Sequence, residues 1–253
     1  MMKRMVFASD LDNTLLFSRK YAMETDLCVE RLNGMPQGYL TKDAPQYLER
    51  IMGHALFVPV TSRSVEQYRR IQFPAACRPG YAVTTNGAVL LIEGEIDRQW
   101  YQESCQAVLP WRDALEQMLH QLQARPLAAR CRLVDEMFVF AACDTPQDAM
   151  ELYGLLQGTT QLDLAVTGRK VYCFPPPISK GTVIPKLRRR FEADEIICAG
   201  DSSMDVPMLQ QADISIVPDR DLMGDLPCGK QVVWKKLDRF YDFVLKEALR
   251  YIC

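Results

Sequence analysis

Two carboxylates two residues apart, Asp10 and Asp12, follow the apolar run Met5-Val6-Phe7-Ala8. The run reads as a buried strand, so the pair falls where that strand ends. Within a strand, side chains i and i+2 point the same way; past its end each can be aimed separately at one centre. Two ionised carboxylates this close repel unless a cation or a shared proton compensates. That is costly in a structural element and useful in a metal-assisted reaction. Three more polar stretches stand in comparable places. Thr61-Ser62-Arg63 follows apolar Leu56 to Val60, Gly200-Asp201-Ser202-Ser203-Met204-Asp205 follows Glu195 to Ala199, and Lys180-Gly181 opens a helix. Asp10, Asp12, Asp201 and Asp205 offer hard oxygen ligands with no His or Cys cluster competing, which suits Mg²⁺. Lys180 adds a cation and Thr61 a hydroxyl. Beside a metal and an uncommitted carboxylate, these suit a phosphate ester.

Such stretches need elements that bring them to one place. Before residue 87 and after residue 178, apolar strand-like runs alternate with helical patterns, as in a parallel sheet flanked by helices. Ligands on such sheets collect outside the carboxyl ends of the strands. The expected fold class is therefore α/β: a Rossmann-like parallel-sheet core flanked by helices, with an inserted α+β unit. Residues 1–87 and 175–253 are assigned to the core and 88–174 to the insert. In the insert, hairpin strands mix with two helices, one carrying Val108, Trp111, Leu115, Met118, Leu119 and Leu122, the other Ala149, Leu152, Tyr153 and Leu156. Ile96 to Tyr101 reads as part of a hairpin, and Cys28 to Leu40 as another, turned at Asn33-Gly34. Leu237 to Tyr251 has the spacing of an amphipathic terminal helix.

Composition excludes several classes. The chain has 253 residues, 48% hydrophobic and 25% charged, with a formal net charge of −2. That balance offers no polyanion-binding surface, so neither nucleic acid nor membrane is an expected partner. Arg188-Arg189-Arg190 reads as the solvated end of a helix. Nine cysteines, an odd number without a CxxC pair, read as reduced thiols of a cytoplasmic protein. His54 and His120 lack partners at ligand spacing. No pattern fixes an oligomeric state.

The stretches carry a resemblance. Asp10-Leu11-Asp12-Asn13-Thr14 resembles the first signature of the haloacid dehalogenase (HAD) superfamily of phosphatases. Val60-Thr61-Ser62-Arg63 resembles the second, Ser179-Lys180-Gly181 the third and Gly200-Asp201-Ser202-Ser203-Met204-Asp205 the fourth, in the same order. The long insert is similar to the class II cap of the sugar-phosphatase-like branch, and Thr85-Asn86-Gly87-Ala88 resembles the segment entering such caps.

The resemblance implies a Mg²⁺-dependent phosphatase acting on a small phosphorylated metabolite through an aspartyl-phosphate. It makes Asp10 the nucleophile and Asp12 the acid and base, with Thr61, Ser62 and Lys180 on the phosphoryl oxygens. Asp10, Asp12 through its backbone carbonyl, Asp201 and Asp205 would serve the metal. Arg63, Asn86 and Arg169 are candidates for substrate selection. Two positions depart from the pattern: Asn13 replaces the usual glycine, and Met204 stands where Asn is common. Asp12 favours phosphate-ester chemistry over dehalogenation, which needs no acid for an alkoxide. A phosphomutase on the same scaffold and, because of Met204, a metabolite-binding protein with weakened turnover are the alternative readings.

Overall fold

All five residues of Met5–Ser9 are buried, the pattern of a strand covered on both faces. The computed structural model, which describes residues 3–224, 231–237 and 239–253, is organised around this strand. It pairs in parallel with Leu56–Pro59 on one side and Glu195–Ala199 on the other. Ile214–Val217 and Gln231–Trp234 extend the sheet in parallel beyond Glu195–Ala199. The fold is thus α/β, with a five-stranded parallel sheet flanked by helices. Phe7 and Phe57, direct register partners, stack with ring centroids 5.6 Å apart. Ser9 lies opposite both Pro59 and Ala199. Asp10, Val60 and Gly200 therefore leave the sheet at one level.

The chain divides into two compact units, Met1–Ile96 with Lys180–Cys253, and Asp97–Ser179. In the first, Tyr81–Thr84 pairs antiparallel with Val89–Ile92, so the strand after Gly87 stays with this unit. The 28–40 segment is a hairpin, Leu27–Leu32 against Met35–Leu40. Asn33 (φ 50°) and Gly34 (φ 78°) supply the left-handed pair that a tight hairpin turn requires. The second unit carries an antiparallel sheet in the order Asp163–Thr167, Lys170–Phe174, Phe138–Ala142, Arg130–Val134. Its fully buried positions alternate, Val139 and Ala141 with Val171 and Cys173, as one face of a pleated sheet does. Helices Arg112–Gln123 and Pro146–Leu156 pack on that sheet.

Several elements differ from the sequence reading, each for a local reason. The hairpin expected through Tyr101 ends at Ile96, where Glu95–Ile96 pairs with Val89–Ile92: the Asp97 side chain accepts from the Trp100 N–H at 2.8 Å and starts a helix, Arg98–Val108. The 108–122 stripe is split by the turn Leu109–Trp111, which leaves Trp111 half-buried, while Val108, Leu115, Met118 and Leu122 are buried. The terminal helix begins at Tyr241 rather than Leu237. Gln231–Trp234, not assigned in the sequence reading, is an edge strand of the parallel sheet. The eight cysteines among the described residues are free thiols, and Cys228 lies outside them. Among the described residues no helix is long and apolar enough to cross a membrane.

Candidate active site

The level strand ends gather the predicted residues of the first unit. Asp10 leaves Met5–Ser9 with its N–H bonded to the Ala199 carbonyl at 2.9 Å, and only 5% of it is exposed. Lys180, the first residue of helix Lys180–Phe191, is 2% exposed and bridges two carboxylates: Asp10 Oδ1 at 2.5 Å and Asp205 Oδ1 at 2.6 Å. Carboxylate oxygens of Asp10, Asp201 and Asp205 lie within 4.8 Å of one another.

Two glycines make this closeness possible. A Cβ on Gly181 would stand 2.7 Å from Pro207 Cβ and 2.8 Å from the Pro207 carbonyl oxygen. Only a glycine lets the helix that begins at Lys180 approach the Val206–Leu209 helix so closely. A Cβ on Gly200 would stand 2.4 Å from Asp205 Cβ, so glycine there lets Asp205 fold back beneath the strand end. Asp205 is fully buried. Its Oδ1 takes Lys180, and its Oδ2 accepts from the Asp201 N–H (3.2 Å), the Ser202 N–H (3.0 Å) and the Ser202 hydroxyl (2.8 Å). Three donors thus crowd Oδ2, while Oδ1 accepts from Lys180 alone and keeps a second acceptor direction. Asp205 thus fixes the 200–205 loop through Oδ2, while its Oδ1 stays in the convergent oxygen group with Asp10 and Asp201. Thr14, quoted in the first signature without a role, donates to Asp201 Oδ1 at 3.1 Å.

Thr61 is fully buried one residue past Val60, whose N–H bonds the Ser9 carbonyl at 2.8 Å. Its hydroxyl accepts from the Arg63 N–H at 3.2 Å, a short turn that Ser and Thr favour. Ser64 caps the next helix, Val65–Arg69, in a capping box with Gln67. Ser62 is half-buried in the same turn. Asn86 belongs to a run of three positive φ angles, Thr85 56°, Asn86 55° and Gly87 110°. A β-branched residue in that region is strained. Backbone bonds hold it: the Thr85 N–H to the Arg63 carbonyl (2.7 Å) and the Asn86 N–H to the Thr61 carbonyl (3.0 Å). The strained turn thus braces the Thr61–Arg63 loop.

Asp12 is set apart from the buried cluster. Its side chain is 51% exposed and held by Arg63 in a two-pronged pair, Nε to Oδ2 at 2.8 Å and Nη2 to Oδ1 at 2.7 Å. Arg169 belongs to the second unit, exposed beside the Gly168 turn, where it donates to the Asp144 carbonyl at 3.4 Å.

Charge decides what the cluster can take. Burial, opposed by Lys180 and reinforced by Asp205, Asp201 and Asp12, pushes the Asp10 carboxyl well above its ordinary range. Burial and then Asp205 push Asp201 up to about 6, against the Thr14 hydrogen bond. Burial disfavours the Lys180 charge, but Asp10 and Asp205 outweigh it and hold the ammonium above its usual value. One ammonium cannot balance three ionised carboxylates, so full ionisation of these converging oxygen donors calls for a further cation. That donor set fits a hard divalent cation such as Mg²⁺.

No family model matches the chain, and no curated protein sequence does. Solved structures match it over nearly its whole length. Sucrose-phosphatase from Synechocystis sp. PCC6803 is similar with a TM-score of 0.63 at 13% identity, covering 99% of this chain and 98% of that one. A phosphatase of the HAD enzyme superfamily from Bacteroides thetaiotaomicron gives 0.57 at 15%, covering 98% and 96%. The C-terminal domain of trehalose-6-phosphate phosphatase from C. albicans gives 0.60 at 11%, covering 99% and 92%. The chain has the fold of the HAD-superfamily phosphatases.

Proposed function

We propose that this protein is a Mg²⁺-dependent phosphatase that hydrolyses a small phosphorylated metabolite of the sugar-phosphate kind. The observation that carries the reading is the buried bridge from Lys180 to Asp10 and Asp205, with Asp201 beside it, at the level carboxyl ends of the parallel strands. The sugar-phosphate preference rests on similarity to structures named as sucrose- and trehalose-6-phosphate phosphatases.

Asp10 and Asp201, with the backbone carbonyl of Asp12, are the protein groups that would hold Mg²⁺; Asp205 orders their loop and would stand in or just behind the metal's ligand shell. When bound, the ion neutralises negative charge between the carboxylates and the phosphoryl oxygens. Asp10 attacks phosphorus: its Oδ–P bond forms as the bond from phosphorus to the leaving oxygen breaks. Lys180 keeps Asp10 oriented and carries positive charge next to the phosphoryl group. Thr61 and Ser62 donate to the phosphoryl oxygens from the braced loop. Asp12, ion-paired with Arg63 through both oxygens, must first exchange one of those hydrogen bonds for a proton from water. It gives that proton to the leaving oxygen, then takes one from the water that cleaves the aspartyl-phosphate and frees phosphate. Arg63, Asn86 and Arg169 contribute to substrate selection.

The test is phosphate release from a panel of sugar phosphates and one aryl phosphate, with Mg²⁺ and with chelator. Turnover should require both Mg²⁺ and Asp10. Undiminished release by Asp10→Asn would defeat the reading.

A further inference from the structure

The Arg63 fork that grips Asp12 is itself anchored, and the anchor comes from a hairpin marked by none of the four signatures. Arg63 Nη1 donates to Glu30 Oε2 at 2.8 Å, and Arg70 Nε donates to Glu30 Oε1 at 3.3 Å. The Glu30 side chain is 5% exposed and that of Arg63 14%. Carboxylates and guanidinium groups thus alternate from Asp12 through Arg63 and Glu30 to Arg70.

The hairpin is shaped to deliver Glu30 there. Pairing of Leu27–Leu32 with Met35–Leu40 shifts register on both sides of Glu30, and Glu30 lies opposite Gly38. A Cβ on Gly38 would stand 3.0 Å from Glu30 Oε2 and 3.1 Å from Glu30 Cβ, so glycine leaves the side chain its path. Glu30 also bridges Ile71, and the Gln72 N–H bonds the Val29 carbonyl at 2.7 Å. The hairpin is thereby tied to the chain that carries Arg63 and Arg70.

A half-exposed ion pair such as Asp12–Arg63 gains little when both long side chains must be ordered for it. Buried Glu30 removes one of those costs by holding the guanidinium plane in advance, and a planar fork fixed at one nitrogen aims its other two. A buried carboxylate is in turn tolerable only with charged partners.

We infer that Glu30 is a positioning residue, setting the location of the Asp12 carboxylate through Arg63, and that Gly38 is the vacancy it needs. The inference rests on reading Asp12 as the acid for the leaving oxygen.

That role makes a selective prediction. An alkoxide leaves only with a proton, whereas a nitrophenolate leaves without one. The experiment measures kcat/KM, which reports steps through the first transfer, for an alkyl sugar phosphate and for p-nitrophenyl phosphate with Mg²⁺ present. It compares wild type, Glu30→Gln, Gly38→Ala and Asp12→Asn, with thermal unfolding of each. Glu30→Gln should lower the alkyl value about tenfold more than the aryl value, part of the 10²- to 10⁴-fold that acid catalysis supplies. Gly38→Ala should fall in the same sense, and Asp12→Asn should show the largest selectivity. Equal losses on both substrates, or none, in folded Glu30→Gln and Gly38→Ala would overturn the inference. Lost folded protein lowers both substrates together, so a stability defect does not mimic the expected result. An Asp12→Asn variant without alkyl selectivity would instead remove the acid reading of Asp12, and the role of Glu30 with it.

Discussion

Asp201 offers a test of the cluster that needs no turnover. Its carboxyl, buried near Asp205, is raised from an ordinary 3.8 to about 6 in the folded chain. A carboxyl raised by folding makes the folded state hold a proton that the unfolded chain has lost. This contribution favours folding below pH 3.8 and is lost as pH rises through 6. At about 1.4 kcal/mol per pH unit, the span from 3.8 to about 6 corresponds to a cost on the order of 3 kcal/mol above pH 6 without metal. Asp201→Asn removes that charge and keeps an oxygen for the Thr14 hydroxyl. In urea unfolding with chelator, the variant should exceed wild type by about 2–3 kcal/mol at pH 7.5, and the gap should close towards pH 4. Mg²⁺ at a hundredfold over its Kd should then stabilise wild type by about 2.7 kcal/mol and the variant by much less. Equal stabilities at pH 7.5 without metal, or equal Mg²⁺ effects on both proteins, would refute the reasoning.

Lys180→Met should cost about 3–5 kcal/mol in denaturant unfolding at neutral pH, because it leaves buried carboxylates without their ammonium, and should abolish phosphate release. Gly181→Ala should cost about 1–3 kcal/mol by thermal unfolding, since the new methyl meets the Pro207 backbone rather than a movable side-chain end. The same variant should lower kcat by displacing Lys180 from Asp205.

The parallel sheet was readable because its strands are unbroken apolar runs that end in polar stretches. Met5–Ser9 and Glu195–Ala199 show this, with Asp10 and Gly200-Asp201 directly after them. The nearness of Asp10 and Asp201 followed from those strand ends, whereas Lys180 reaches them from the start of a helix. Glu30 was not readable. Nothing in Cys28-Val29-Glu30-Arg31 separates a buried anion from an exposed strand residue, because its burial depends on Arg63, Arg70 and the space at Gly38. The helix from Arg98 was missed because Ile96 to Tyr101 carries mixed apolar residues, and only the Asp97 cap decides it. Gln231–Trp234 joins the sheet by pairing with Ile214–Val217, a long-range choice that its own four residues do not dictate.

The central claim is that Asp10 becomes phosphorylated in turnover. Borohydride reduces an acyl phosphate but not a carboxylate, so the enzyme quenched during turnover and reduced should carry homoserine at position 10, read by peptide mass spectrometry. The account predicts homoserine at that position only with substrate and Mg²⁺ present, and none in Asp10→Asn. Steady phosphate release with residue 10 unmodified, or turnover by Asp10→Asn, would contradict it.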